Sequence, residues 1–304
     1  MVVASNVVPL SQVAQKPKIS VIMVSFMTGP ALMEAITAVM NDEDIFELII
    51  VDNGNIPTTR VRLSQLCADY DRIRLLQGHG NIGFSKGCNY GAELASGDYF
   101  LFLNPDAVIA PGSARKMADA GEGLQQPWAT GGYLRDEYGR EQKGARRGAL
   151  TPWSALVSFT GLHKLPFIQS IHLNDTHVPS QPTSVAVTSG ACMMLDRKSF
   201  NMLNGFDPGY FFHVEDIDIC HRIQMRGGEV YIVPSASVMH YGSTSNVPRL
   251  RVEYEKFKGF VRYFSHYKSK KISKPLTALA TPFFFVAIMG RAGYLTLRFA
   301  LIGR

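Results

Sequence analysis

The chain has 304 residues, 31 Lys and Arg against 25 Asp and Glu, a net charge of +6 and a pI near 9.1. That length can bury one large α/β core, alone or with an appendage, and a hydrophobic fraction of 46% is that of an ordinary globular protein. The basic residues gather in two patches, Arg135 to Arg147 and Lys256 to Lys274, without the interleaved aromatics and glycines of an RNA-binding surface, which argues against nucleic acid and for phosphate-bearing small molecules or anionic lipid.

Cys67, Cys88, Cys192 and Cys220 show no paired spacing and are expected to be free thiols in a reducing compartment. Met1 to Leu10 lacks a basic start and a long apolar run, so no signal peptide is predicted. After a polar lead-in over 1–17, Ile19 to Ser25 is a nearly continuous apolar run of strand length, the pattern of a buried parallel strand. Ala31 to Met40 has helical character, and Glu47 to Asp52 is a second strand ending at Asp52-Asn-Gly-Asn55. Asp52 there is either a ligand group at a strand's carboxyl end or the first residue of an Asp-Asn-Gly turn. A helix over Thr58 to Tyr70 and a strand over Ile73 to Gln77 follow.

Gly78-His-Gly80-Asn-Ile-Gly83 matches the dinucleotide fingerprint G-x-G-x-x-G and opens a predicted helix, Phe84 to Ala95. On that pattern the alternative is an NAD(P)-dependent oxidoreductase, although the motif follows the third strand rather than the first. Asp98 to Leu103 is a buried strand running into Asn104-Pro-Asp106, which leaves Asp106 at the sheet's carboxyl edge as a divalent-cation ligand or as an Asx turn. A short helix is expected over Ala110 to Met117, then a Gly-rich basic span, Gly121 to Gly148. Residues 151–182 carry three histidines without metal spacing and read as an insertion near an acceptor site. Val185 to Leu195 is predicted as one strand bent at Gly190, followed by a helix from Arg197 to Leu203.

The stretch Gly205 to His221 brings three carboxylates to the mouth of a helix predicted over Val214 to Met225. Asp216 shares a stripe with Ile219, Cys220 and Ile223 and is expected to point inward, with Glu215, Asp218 and Arg222 on the adjoining face. The acids either complement the helix dipole or perform proton transfer. A strand over Gly228 to Pro234 precedes His240, which is either a structural histidine or a metal ligand.

The ordered set Ile49-Ile-Val-Asp52-Asn-Gly, Gly80-Asn-Ile-Gly-Phe-Ser-Lys-Gly-Cys-Asn89, Leu103-Asn-Pro-Asp106, Ser189-Gly-Ala, Asn204-Gly-Phe-Asp207, Phe211-Phe-His-Val-Glu-Asp216-Ile-Asp218 and His240-Tyr-Gly resembles inverting glycosyltransferase family 2, especially its bacterial rhamnosyltransferase branch. The resemblance covers Lys18 to Ser245 and implies a GT-A fold: a Rossmann-like mixed sheet flanked by helices, with a nucleotide-binding half, 18–110, and an acceptor half, 111–247. It implies donor contacts from Ser25, Asp52, Asn53, Asn81, Gly83, Phe84, Lys86, Asn89, Asn104 and Asp106, with Asp52 on the pyrimidine ring. Asn104-Pro-Asp106 stands where the family has Asp-x-Asp. With Asn first, Asp106 becomes the main acidic ligand and His240 the second for Mg2+ or Mn2+, and diphosphate oxygens and water complete the shell. The resemblance further implies Asp216 as general base and Glu215 and Asp218 as acceptor-binding groups. The implied activity is transfer of L-rhamnose from dTDP-rhamnose, or of another sugar from a UDP or dTDP donor, to a saccharide or polyprenyl-diphosphate-linked glycan in surface polysaccharide assembly. A sugar nucleotidyltransferase would need a glycine-rich basic loop that Ser25 to Pro30 does not supply, and a carbohydrate-binding module has no need of Asp106, His240 and Asp216 together.

In the extension, 248–304, Leu250, Tyr254, Phe257, Val261 and Phe264 recur at helical spacing with Arg and Lys between them. Lys268 to Lys274 then precedes an apolar segment from Leu276 to Gly290 that is interrupted by Pro282. A membrane-associating helical region is expected, peripheral or monotopic on the cytoplasmic face of the inner membrane.

Overall fold

The structure is a computed structural model that describes residues 16–160, 167, 170–242, 244, 245, 247–267 and 290. In chain order the elements are β1 (Ile19–Ser25), α1 (Ala31–Met40), β2 (Ile45–Asp52), α2 (Pro57–Asp69), β3 (Ile73–Leu76), α3 (Phe84–Leu94), β4 (Tyr99–Leu103) and β5 (Ala107–Ile109). There follow α4 (Ser113–Gly121), β6 (Trp128–Arg135), β7 (Arg146–Arg147), α5 (Pro152–Thr160), β8 (Thr183–Ser184), β9 (Val187–Thr188) and β10 (Cys192–Asp196). The last are α6 (Arg197–Met202), α7 (Glu215–Met225), β11 (Glu229–His240) and α8 (Arg249–His266).

The main sheet runs β3-β2-β1-β4-β10-β6-β11-β5, with β8 also on β11, while β7 and β9 form a separate ribbon. Strands β3, β2, β1 and β4 are mutually parallel, and β10 enters antiparallel to β4. The parallel half explains the unbroken apolar runs, because both faces of β1 are covered. Ile22 and Val24 face a core shared with α3, α6 and α7, whereas Val21 and Met23 face one shared with α1, α2 and α4. Phe100, Phe102, Phe200 and Phe206 meet in edge-on and tilted ring pairs 4.9–6.2 Å apart and bind α6 to the sheet.

Three sequence expectations change here. The Gly-rich span contains a central strand, β6, whose Gly131 and Gly132 lower its apparent strand character. Gly131 is required because a Cβ there would fall on the Thr188 side chain. The strand predicted over Val185 to Leu195 is two strands: β9 pairs with β7, and the chain crosses through Ser189-Gly190-Ala191 into β10 of the main sheet. Conversely, Gly228 to Pro234 and the His240 segment are one strand, β11, with a register shift between Val233 and Ser237 where Pro234 interrupts the ladder. The lead-in up to residue 15 and the segment expected to meet the membrane after Tyr267 lie outside the described residues, Gly290 apart. Among the described residues, no helix is long and apolar enough to cross a membrane.

Glu47 fixes the amino-terminal edge of the sheet. It is buried on β2 and accepts from the Ser20 hydroxyl at 2.6 Å and from the Ser96 amide and hydroxyl at 2.6 and 2.8 Å. Burial pushes its carboxyl up, but these donors and Arg74 outweigh it and hold the group below its ordinary value. A depressed folded value means that the ionised group stabilises the fold at neutral pH, and that this stability is lost as pH falls through the folded value. Glu47→Gln should cost about 1–3 kcal/mol in urea unfolding at pH 7, with the gap to the unsubstituted protein closing in acid.

Candidate active site

The carboxyl ends of β1, β2 and β4 open on one edge of the sheet, and the strand order reverses between β1 and β4, the position at which open α/β sheets hold ligands. Asn104-Pro105-Asp106 leaves β4 at this edge. β5 then runs antiparallel to β11, with Ala107 opposite His240, which delivers the imidazole to Asp106 across 134 residues of chain. His240 Nε2 lies 3.1 Å from Asp106 Oδ1 and 3.4 Å from the Asn104 side-chain nitrogen, Nδ2, and Thr244 donates to Asp106 Oδ2 at 2.9 Å. Burial raises the Asp106 carboxyl, but its bonds with His240 and Thr244 prevail and keep it below its usual range.

Gln142, which sequence reasoning passed over, orients the imidazole. Its amide nitrogen donates to the His240 carbonyl at 3.2 Å, so its oxygen, 2.6 Å from Nδ1, accepts from that ring nitrogen. Nε2, 3.1 Å from Asp106 Oδ1, then either carries the ring's second proton and donates to the carboxylate or offers its lone pair to a cation held between the two. One imidazole nitrogen and one carboxylate oxygen suit Mg2+ or Mn2+. Among the described residues no set of three His, Cys, Asp or Glu could hold a metal, so further ligands would have to come from a bound molecule and water.

The acid stretch lies on the other side of Ser189-Gly190-Ala191. The Asn104 amide donates to the Ala191 carbonyl at 2.9 Å, and the Gly190 amide donates to Asp216 Oδ2 at 3.2 Å. Two adjacent residues therefore join the Asn104 loop to Asp216 and hold them at most about 12 Å apart. Arg147, from β7, donates to Asp216 Oδ2 and to the Thr188 carbonyl. Burial favours a neutral Asp216, but Arg147 outweighs it, with help from the Gly190 and Ile217 amides, and holds the carboxyl below its usual value. Glu215 has the opposite fate. Its side chain is buried, one oxygen has no hydrogen-bond partner among the described residues, and burial followed by the charge of Asp216 pushes it well above the carboxylate range. The pair separates into a neutral acid and an ionised base.

The helix carrying both acids starts from a strained turn. His213 and Val214, neither a glycine, have φ of 67° and 73°. Each such residue costs about 1–3 kcal/mol, and a β-branched residue there is a genuine outlier.

Several expected site residues have other partners. Asp216 is not the innermost acid of α7: Glu215 and Asp218 are more buried, because the turn rotates the helix so that Asp216 faces Arg147 and Gly190. Asp218 is bound to Arg222 at 2.8 Å and to the Tyr267 hydroxyl at 2.8 Å, which turns it towards the carboxyl end of α8. Ser25 is fully buried, with its hydroxyl bonded to Asn55. Asn89 is consumed by the backbone of Phe206, accepting at 2.9 Å and donating at 2.8 Å. Asn53 donates to the Gly83 carbonyl at 3.1 Å, and Asn81 accepts from the Gly83 amide at 3.0 Å. Gly83 admits protein rather than phosphate: a Cβ there would lie 2.8 Å from Phe211, whose carbonyl accepts from the Phe84 amide. The Asp52 turn is formed, with Oδ1 accepting from Gly54 and Asn55 and Oδ2 3.6 Å from Arg60. Lys86 is exposed on the first turn of α3. The Arg135–Arg147 patch is also less available than its charge implies, since Arg140 pairs with Asp136, Arg146 with buried Glu141, and Arg147 with Asp216.

A mixed sheet that is parallel from β3 to β4, is entered by an antiparallel β10 and continues through the parallel pair β6 and β11, with an Asp–His pair at the switch point and a carboxylate helix beside it, defines a glycosyltransferase of the GT-A type. Residues 20–203 match the family model described as Glycosyl transferase family 2, and the chain belongs to that family, in its rhamnosyltransferase-like branch. Residues 179–247 also match a model described as the N-terminal domain of galactosyltransferase. The chain is 27% identical over 216 residues to Rhamnosyltransferase WbbL of Escherichia coli K12, covering 67% of this chain and 76% of that protein. It is 26% identical over 239 residues to the N-acetylglucosaminyl-diphospho-decaprenol L-rhamnosyltransferase of Mycobacterium tuberculosis, covering 74% and 76%. Among solved structures, GalNAc-T7 with UDP, GalNAc and Mn2+ superposes with a TM-score of 0.58 at 16% identity over 87% of this chain, which spans about half of that one, 54%. The mannosyltransferase PcManGT of Pyrobaculum calidifontis, in complex with GDP-Man and Mn2+, gives 0.56 at 14% identity over 96% of this chain and 77% of its own. The Gly78–Gly83 motif follows β3, the sheet's edge strand, and family membership displaces the oxidoreductase alternative.

Arg147→Gln removes the cation that keeps Asp216 ionised, so the Asp216 carboxyl should titrate at higher pH in the variant. Carbon-detected NMR titration of the side-chain carboxyls measures this without substrate, and an unmoved Asp216 resonance would assign its ionisation to the backbone amides instead.

Proposed function

We propose that the protein transfers a sugar with inversion, L-rhamnose from dTDP-rhamnose, to a saccharide or polyprenyl-diphosphate-linked glycan in surface polysaccharide assembly. The observation that supports this reading is the Ser189-Gly190-Ala191 bridge, which ties the Asn104 loop, next to Asp106 and His240, to the ionised Asp216 at no more than about 12 Å. The rhamnosyltransferase relatives favour the donor, and the diphosphate-linked acceptor of the mycobacterial one favours the acceptor class.

In this mechanism the nucleoside lies over the carboxyl ends of β1 and β2, with Lys86 and the Asp52-Asn53 turn as its nearest polar groups. Asp106 and His240 would hold Mg2+ or Mn2+, in keeping with the Mn2+ of the two structural neighbours. A bound divalent ion supplies charge neutralisation to a departing nucleoside diphosphate. Asp216, on the opposite side of the sugar, accepts the proton of the acceptor hydroxyl as its oxygen attacks the anomeric carbon and the bond to the diphosphate breaks. Arg147 keeps Asp216 ionised, and neutral Glu215 leaves it without a competing negative charge. Glu215 is also the remaining candidate for orienting the acceptor.

The region from Lys268 onward is proposed, on sequence grounds, to bring this site to the cytoplasmic face of the membrane that carries the acceptor. Loss of binding to phosphatidylglycerol vesicles on removal of residues 275–304 would support this, and unchanged sedimentation of the truncated protein in high salt would contradict it.

Asp216→Asn should lower transfer by roughly 10²–10⁴-fold with donor binding retained, whereas His240→Ala should weaken Mn2+-dependent binding of the nucleoside diphosphate. A screen for nucleoside diphosphate release across dTDP-, UDP- and GDP-sugars, with and without Mn2+, tests the assignment. Preference for a UDP-sugar would move the donor within the family, and full turnover of Asp216→Asn would remove Asp216 as the base.

A further inference from the structure

We infer that α8, which follows the segments matched by the family models, is the element that holds the catalytic turn in its strained form, and that Gly259 is the positioning residue through which it acts. The inference rests on Asp216 being the base, and it concerns how that base is aimed.

The turn at His213-Val214 decides where α7 begins and therefore where Asp216 points. Two consecutive left-handed residues persist only if their surroundings leave no relaxed alternative. On one side the surroundings are α3: Phe211 is seated on Gly83, and Phe206 is held by Asn89. On the other side they are α8. Gly259 is buried against the turn, and a Cβ on it would lie 2.9 Å from Val214 Cγ2 and 3.1 Å from the His213 carbonyl oxygen.

Around that contact α8 reaches both ends of the acid stretch. Arg262 donates to both oxygens of Asp207 at 2.9 and 2.8 Å, and its guanidinium lies 5.5 Å from the Tyr210 ring centroid. Tyr263 is buried beside the His221 ring, and Tyr267 donates to Asp218 at 2.8 Å. A helix that only covered the core would meet it through apolar side chains. Here a glycine, a fork of two charge-assisted bonds and a tyrosine hydroxyl converge on residues 207, 213, 214 and 218, which bracket Asp216.

The test uses the full chain carrying Gly259→Ala, Val214→Ala or both. Gly259→Ala should raise hydrogen–deuterium exchange in peptides spanning 211–218 and leave those spanning β4 and β5 unchanged. It should leave Mn2+·dTDP affinity within about twofold and lower the turnover of dTDP-rhamnose, read as dTDP release, by about tenfold or more. Val214→Ala removes the Cγ2 obstacle at 2.9 Å but leaves the Val214 Cβ and the His213 carbonyl at 3.1 Å and gives up the wedged side chain, so the double variant should recover part of the protection and turnover lost in Gly259→Ala. Arg262→Lys, which loses the fork to Asp207 without adding bulk, should show the same split in weaker form and serves if Gly259→Ala does not fold. Exchange at 211–218 unchanged by Gly259→Ala, a loss of protection spread over the whole sheet, or a double variant no better than the single one would each overturn the inference. Asp216→Asn measured alongside keeps the two questions apart: full turnover there removes the base, while the exchange data still decide whether α8 holds the turn.

Discussion

The hydrogen bond from the Asn104 amide to the Ala191 carbonyl joins the two halves of this protein. It exists because β10 enters the sheet antiparallel to β4, so that the loop leaving β4 meets the segment entering β10. From that junction a single residue leads to Gly190, whose amide binds Asp216. The spacing between the Asn104 loop and Asp216 is thus set by a strand pairing in the middle of the sheet, within a close-packed core that resists shifting. Surface loops elsewhere in 111–247 can vary in length without altering it.

The electrostatics of the site follow the same economy. Glu215 and Asp216 are neighbours on one helix turn, both partly or wholly removed from water, and two such carboxylates cannot both be ionised cheaply. One cation settles the contest. Arg146 and Arg147 occupy successive positions of a short strand and so point to opposite sides. Arg146 goes to Glu141 and Arg147 to Asp216. At the other end Gln142 does for His240 what Arg147 does for Asp216, fixing the state of the group without being the group. Both residues come from the Gly-rich span between β6 and α5, which therefore tunes the two ends of the site from one piece of chain.

The parallel half of the fold was legible because its physics is local: a strand covered on both faces is a run of apolar residues, and β1, β2 and β4 announce themselves as such. The mixed half was less legible. β6 carries Gly131 to let Thr188 approach and Gly132 to admit Cys192 and Val238, and a strand adapted to close neighbours loses its pattern. The convergence of Asp106, His240 and Asp216 was legible only as a set of motifs in order, since the pairing of β5 with β11 that unites the first two leaves little trace in composition. Arg147 was read as surface charge because nothing in a pair of arginines states which carboxylates they face. Gly83 and Asn89 were read as donor contacts for a related reason: small and amide residues on a helix permit any close approach, and here the visitor is the protein's own loop at Phe206 and Phe211.

That loop also explains why conformational strain sits at His213 and Val214 rather than being relieved by glycines. A glycine pair would reach positive φ at little cost but would also leave it freely, and the helix behind it would inherit that freedom. Val214 cannot relax without moving its branched side chain, which is wedged against α8, while Phe211 on the other side is hydrogen-bonded to the start of α3. The glycines have instead been placed on the partners, at 83 and 259, where they open room for the turn without loosening it. The aim of Asp216 is therefore fixed by elements from distant parts of the sequence, α3 and α8 among them, so a change at the first turn of α3 reaches the turn before Asp216 through Phe211 by direct contact.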